Sequence, residues 1–244
     1  MKRLYADLHL CPDLRSEEQV FHMVRKACEL GYGLVAVRLF PDFREEKIRR
    51  LRNMCEEDNL DFVSRLDLKP RTPKELIRSL RRYRRRFEII GVICDSKGVA
   101  RQAAKDRRVD ILSFPSHSHR KRFFDKAEAE LASNALACFE IDINPLLTLE
   151  GAARIRLISC LRREVAMAED FQVPIVVSSG ASTGMLMRKP REIVALTSLF
   201  DLEKALAEEA ISRNPLTIVE RNREKLRPEF VAPGIKLSRR GKDC

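Results

Sequence analysis

The chain has 244 residues, 44% of them hydrophobic and 34% charged, with 47 Lys and Arg against 36 Asp and Glu. That composition supplies a sizeable core and excludes a wholly disordered chain, and the length falls in the roughly 200–250 residues that an α/β barrel fills as one unit. No run approaches the roughly 18 consecutive apolar residues of a membrane helix, and the start MKRLYADLHL carries no apolar signal core, so a soluble, cytoplasmic protein with no membrane partner is expected.

Seven cysteines are scattered along the chain without any Cys-x-x-Cys pair, which gives neither a disulfide framework nor a zinc ribbon. The charge is more informative. The net value is +11, yet residues 69–126 alone hold 18 bases and 6 acids, so the excess is local. A concentrated basic region is the footprint of a polyanion partner, because neutralising phosphates releases counterions.

In chain order, apolar runs of β character occupy residues 4–9, 33–40, 60–68, 88–94, 110–114, 138–143 and 174–178, with segments of helical period between them. Strand–helix alternation predicts parallel strands joined by right-handed crossovers. Ser16-x-x-Gln19 and Thr72-Pro73-Lys74-Glu75 read as helix starts, and Asp201 as the cap of a helix over 202–211. Beyond residue 178 the pattern is helical, at 191–199, 202–211 and 216–225, with no eighth strand. The expectation is a single TIM-like barrel domain over 1–226, with about seven parallel strands and extra C-terminal helices, then a flexible basic tail over 227–244.

Candidate chemistry sits at strand ends. Asp7-Leu8-His9-Leu10-Cys11 closes the first strand, and strict alternation places Asp7, His9 and Cys11 on one face. This resembles the first motif of the polymerase and histidinol phosphatase (PHP) family of metal phosphoesterases, Asp-x-His-x-His, with Cys11 in place of the second histidine. The chain has only four histidines, and Ser178-Ser179-Gly180-Ala181 stands where that family carries Asp-x-His. The favoured reading is a polar set, Asp7, His9, Ser178, Ser179 and Gly180, bracing the barrel mouth without a metal. The alternative is a metal-dependent PHP-type phosphoesterase using His9, His117 or His119.

Three cationic segments are candidates for RNA. His117-Ser118-His119-Arg120-Lys121-Arg122 follows the fifth strand. The Ser-Ser-Gly-Ala loop, a nest for an anion, is followed by Met187-Arg188-Lys189-Pro190. In the run over 78–86, Leu76, Ile77, Leu80 and Phe87 fall at core spacing and leave Arg81 and Arg85 outward. The next helix adds Lys97, Arg101, Lys105, Arg107 and Arg108, which predicts a continuous basic surface.

Four ordered motifs carry a wider resemblance: Asp7-x-His9, Phe139-Glu140-Ile141-Asp142-Ile143-Asn144-Pro145, the strand-loop over 174–181 with Arg188-x-Pro190, and Ile211-Ser212-Arg213-Asn214-Pro215-x-x-Ile218-x-x-x-Asn222. Over residues 3–225 the chain resembles the ribonuclease P protein component 3 family, which includes the thirty-kilodalton eukaryotic subunit. The resemblance implies a PHP-like barrel without metal catalysis, in a ribonucleoprotein that removes the 5′ leader of precursor tRNA. It implies that the RNA subunit uses Mg²⁺ and makes the cut, with no cofactor held by the protein. Protein component 2 is the implied partner, in a dimer of heterodimers, beside other ribonuclease P proteins. It also assigns RNA contact to Arg107, Arg108, His117, Lys121 and Arg188; Arg122, Arg81 and Arg85 join them from the basic clusters. Cys11 and the run over 78–86 depart from the family pattern.

Overall fold

A computed structural model describes residues 4–116, 121–232 and 235–236. Seven parallel strands pair in chain order: β1 (Ala6–Leu10), β2 (Leu34–Leu39), β3 (Asp61–Leu68), β4 (Ile89–Ile93), β5 (Ile111–Ser113), β6 (Cys138–Asp142) and β7 (Ile175–Ser178). All seven expected strands are present. Consecutive apolar residues such as Leu34-Val35-Ala36-Val37 are buried on both faces, because one face lines the barrel and the other meets the helical layer. That layer includes α1 (Glu17–Leu30), α2 (Glu45–Glu57), α3 (Pro73–Tyr83), α4 (Lys97–Lys105), α5 (Lys126–Ala135), α6 (Asn144–Thr148), α7 (Gly151–Asp170) and α8 (Pro190–Thr197).

Helix starts follow local chemistry. Ser16 Oγ and Thr72 Oγ1 accept from the amides of Gln19 and Glu75, each at 3.2 Å. Asp201 does not cap a helix as expected. It adopts a left-handed conformation, φ 61°, that terminates the 3-10 turn Ser198–Phe200, and α9 (Lys204–Ala210) starts behind Glu203 instead.

Among the described residues the barrel closes without an eighth parallel strand. At the upper end of the seam, β1 meets the extension of β7 through the Leu10–Ala181 bridge and the Cys11 amide, which donates to Ala181 O at 2.8 Å. Lower down, the Ala6 amide donates to Ile211 O at 2.9 Å, and Asn214 Nδ2 donates to Ile175 O at 2.8 Å. The helix that follows, α10 (Arg213–Leu226), presses Ile218 and Val219 into the lumen beside Ala6, Leu8, Val63 and Val176. The Asn-Pro-x-x-Ile motif is thus a plug for the bottom of the barrel.

Strict alternation fails in β1. Asp7 pairs with Val35 and Leu10 with Val37, so two residues, Leu8 and His9, oppose the single Ala36. This bulge sends Leu8 and His9 both toward the lumen. Asp7 lies in the seam, where Oδ1 accepts from the His9 and Ser179 amides at 3.1 and 3.0 Å. The expected shared face of Asp7 and His9 is therefore corrected: Asp7 ties backbone, and His9 alone enters the polar centre.

The expected unpacked tail is in part a hairpin, β8 (Phe230–Ala232) against β9 (Ile235–Lys236), with β8 packed on α10. Residues 233–234 and 237–244 lie outside the described residues, as does the 117–120 segment with His117 and His119. Cys55, Cys94, Cys138 and Cys160 are buried core residues without a disulfide among the described residues. Burial pushes the Cys55 and Cys138 thiols up to about 12. No described helix is long and apolar enough to cross a membrane.

Candidate nucleic-acid interface

Two polar centres lie at opposite ends of the barrel. At the mouth, where strands end, the lumen holds Arg65 with no exposed side-chain surface. Nη1 and Nη2 each donate to an oxygen of Glu140 at 2.6 Å, Nε donates to Asp67 Oδ1 at 2.8 Å, and Nη1 also reaches Leu8 O at 2.7 Å. Ser178 Oγ donates to Glu140 Oε1 at 2.8 Å. His9 stands above this pair, with Nδ1 2.8 Å from Asp142 Oδ1 and Nε2 3.0 Å from Asp67 Oδ2. Burial and the Arg65 charge oppose a protonated ring, but Asp142 and Asp67 outweigh them and hold His9 well above the usual histidine range. Gly180, at φ 60°, leaves room for Asp142, whose Cγ would lie 2.9 Å from a Cβ there.

His9, Glu140 and Asp142 place their ligand atoms within 4.8 Å of one another, a spacing that could serve a metal. The set does not fit one as it stands. Both Glu140 oxygens are taken by a permanent cation, and that charge opposes a second one at the same donors. The mouth as it stands is a polar core braced by the Arg65–Glu140 pair.

The opposite end carries the basic surface. Asp61, Glu88 and Asp110 stand at the starts of β3, β4 and β5, and arginines satisfy them. Arg223 lies 2.7 Å from Asp61 and 2.8 Å from Glu88, Arg221 is 2.9 Å from Asp110, and Arg84 hydrogen-bonds the other Asp110 oxygen. With those acids satisfied, the remaining cations are in excess. A groove of about 460 Å³ is lined by Arg84, Arg85, Arg107, Arg108, Lys225 and Arg227, with Phe230 and Val231 from the hairpin. Arg85, Arg107, Lys225 and Arg227 make no ion pair among the described residues. Burial, with the nearby Arg221, Arg84 and Arg107 charges, holds Lys225 below the usual lysine range against the opposing pull of Asp110.

The expected RNA residues divide between the two ends. Arg107, Arg108 and Arg85 meet in the groove, although Arg108 is also bound to Asp106 at 2.7 Å. Arg81 is exposed on α3 and does not line it. Lys121 is exposed beyond β5, at the mouth end. Arg188 donates to Met185 O and Met187 O, at 2.8 and 2.9 Å, and so knits its own loop. Arg122 is no surface cation: its side chain is 5% exposed, bound to Glu164, and donates to Phe114 O at 3.1 Å. The continuous basic face is interrupted as well, since Lys97 and Arg101 pair with Asp125 and Glu128 at 3.2 and 3.3 Å.

Several residues of these centres are not singled out by the sequence. Arg65 and Asp67 are legible only as charges at period two inside an apolar strand. Glu140 and Asp142 stand within a family motif and nowhere else. Arg84 lies hidden in the arginine run, and nothing in the pattern of 225–230 announces that Lys225, Arg227 and Phe230 complete a groove with Arg107.

The family model described as RNase P subunit p30 matches residues 4–227. Ribonuclease P protein component 3 of Methanosarcina barkeri is 30% identical, over 96% of this chain and 95% of that protein. Its counterpart in Methanothermobacter thermautotrophicus is 26% identical over the same shares. A chain in the cryo-EM structure of archaeal ribonuclease P with mature tRNA superposes with a TM-score of 0.83 at 22% identity, covering 96% of this chain and 99% of that one. An amidohydrolase structure shares the barrel alone, with a TM-score of 0.56 at 9% identity over 96% of this chain and 77% of its own. With the family model matched over residues 4–227 and a relative 30% identical over 96% of this chain, this chain belongs to the RNase P subunit p30 family.

Proposed function

We propose that the chain is a protein subunit of ribonuclease P that binds and supports the catalytic RNA, which itself uses Mg²⁺ to cut the 5′ leader from precursor tRNA. The observation that carries this reading is the groove between α3, the approach to β5 and the hairpin. It gathers six cations and an aromatic ring, and only Arg84 and Arg108 of the six are spent on acids among the described residues. A phosphodiester backbone supplies the anions such a surface lacks, and Phe230 offers a face to an unpaired base. The mouth supports the non-catalytic half of the reading, because Arg65 occupies both oxygens of Glu140, the central carboxylate of the His9, Glu140 and Asp142 cluster. Protein component 2 is the proposed partner, in a dimer of heterodimers, together with the other ribonuclease P proteins, in the cytoplasm.

Reconstitution on precursor tRNA tests this. The RNA subunit with this protein and component 2 should cleave at lower Mg²⁺ than the RNA alone, while the pure protein with Mn²⁺ or Zn²⁺ should leave the substrate intact. Cleavage by pure protein that disappears in His9→Ala would establish the phosphoesterase reading instead.

A further inference from the structure

Arg65 heads the fully buried side chains by volume. Burying an ion pair rarely stabilises more than packed apolar groups of the same size, so its presence calls for a physical reason. The reason lies in what surrounds it. Asp67 comes from β3, Glu140 and Asp142 from β6, and His9 from the bulge of β1, all converging at the C-terminal end of the strands. Carboxylate oxygens with an imidazole nitrogen form a donor set suited to a divalent cation: the ligand atoms of His9, Glu140 and Asp142 lie within 4.8 Å of one another, Asp67 Oδ2 adjoins them 3.0 Å from His9 Nε2, and small shifts would bring them to bonds of roughly 2.0–2.2 Å.

Two further observations point the same way. His9 is buried with Nδ1 2.8 Å from Asp142 Oδ1 and Nε2 3.0 Å from Asp67 Oδ2, so the imidazole already bridges carboxylates of two strands. Gly91 beside them is bare: a Cβ there would stand 2.3 Å from Asp67 Oδ1 and 3.2 Å from Arg65 Nη2, so the backbone is shaped around the guanidinium and its acid.

We propose that the Arg65 guanidinium is the resident cation of a latent divalent-metal site built by His9, Asp67, Glu140 and Asp142, and that removing it turns the barrel mouth into a metal-binding one. A tethered guanidinium satisfies the acids through directed N–H bonds, cannot dissociate, and offers no exchangeable water. It therefore gives the structural benefit of a metal without its chemistry.

The test uses the full chain with Arg65→Ala, titrated with Co²⁺ for its visible absorption and with Zn²⁺ for melting temperature. Wild type should take up neither at this site. Arg65→Ala should melt earlier than wild type without metal, bind one equivalent, and regain thermal stability with Zn²⁺, and His9→Ala in the same background should weaken binding at least tenfold. Because Arg65→Ala leaves the acids uncompensated, it is also refolded with and without Zn²⁺, beside the neutral pair Arg65→Met/Glu140→Gln, which should fold without metal. Wild type that binds the metal through His9, or an Arg65→Ala protein that metal neither occupies nor stabilises, overturns the proposal whichever way the neutral pair behaves.

Discussion

Gly91 faces Asp67 across the β3–β4 pair so closely that any side chain on Gly91 would collide with the carboxylate holding Arg65. Gly91→Ala must therefore push Asp67 off Arg65 Nε or displace β4. Overpacking of this kind costs about 1–3 kcal/mol. In a chain of this size that lowers the melting temperature by roughly 2–4 °C per kcal/mol, which thermal unfolding would register. A Gly91→Ala protein that melts like wild type would show the mouth to be looser than its distances imply.

The strands and their parallel order are legible in the sequence because seven doubly apolar runs separated by helical periods require a parallel sheet covered on both faces, which an open doubly wound sheet would satisfy as well as a barrel; the closure is visible only in three dimensions. That the described residues form no eighth parallel strand is legible too, but its substitute is not: Asn214, Ile218 and Asn222 read as one face of a surface helix, and only three-dimensional closure makes them a plug. The mouth is half legible. Asp7 and His9 stand out in the first strand, while their shared face is an artefact of strict alternation, which a one-residue bulge cancels. The basic region is located by charge density but not resolved into its members. A sequence count cannot distinguish Arg84 and Arg122, spent on Asp110 and Glu164, from Arg85 and Arg107, which face solvent.

Arg122→Ala should act on folding. Its guanidinium is the partner of Glu164, a carboxylate that burial already pushes up against the opposing pull of Arg122. Stranding that acid costs about 3–5 kcal/mol, whereas the matched pair Arg122→Met/Glu164→Leu should recover most of it. Denaturant melts of the three proteins decide the matter. Unchanged stability with weakened RNA affinity in Arg122→Ala would return this residue to the RNA surface.

Glu128 sets a pH dependence at the α4–α5 contact. Burial, with the neighbouring Asp125, pushes its carboxyl up to about 7, above the usual glutamate range. A folded value above the unfolded one means that the folded chain holds the proton more tightly. The contribution is complete below about pH 4.5 and is lost as pH rises toward about 7, with little change beyond. At about 1.4 kcal/mol per pH unit the loss is at most about 3–4 kcal/mol. Glu128→Gln should flatten the wild-type decline in stability across that window, measured by urea unfolding at fixed ionic strength. Parallel curves for the two proteins would mean that Arg101, 3.3 Å away, keeps the acid ionised throughout.

The groove predicts a division among the arginines. Arg85 and Arg107 are exposed and unpaired among the described residues, so replacing either with alanine should shift stability by no more than about 0.5 kcal/mol. For every phosphate that the variant no longer neutralises, the slope of log affinity against log salt should shrink by about 0.7–0.9, and added Mg²⁺ should partly restore cleavage in the reconstituted enzyme by screening the RNA. Arg108→Ala should combine a similar RNA defect with a small loss of stability, because it also abandons Asp106. Phe230→Ala removes the ring from the same groove without touching a charge, so it should weaken binding while leaving the salt slope unchanged. Filter binding of the RNA subunit across a salt series separates these cases. Equal slopes for wild type, Arg85→Ala and Arg107→Ala would take the groove out of the interface and leave Lys121 and Arg188, at the other end of the barrel, as the cations that meet the RNA.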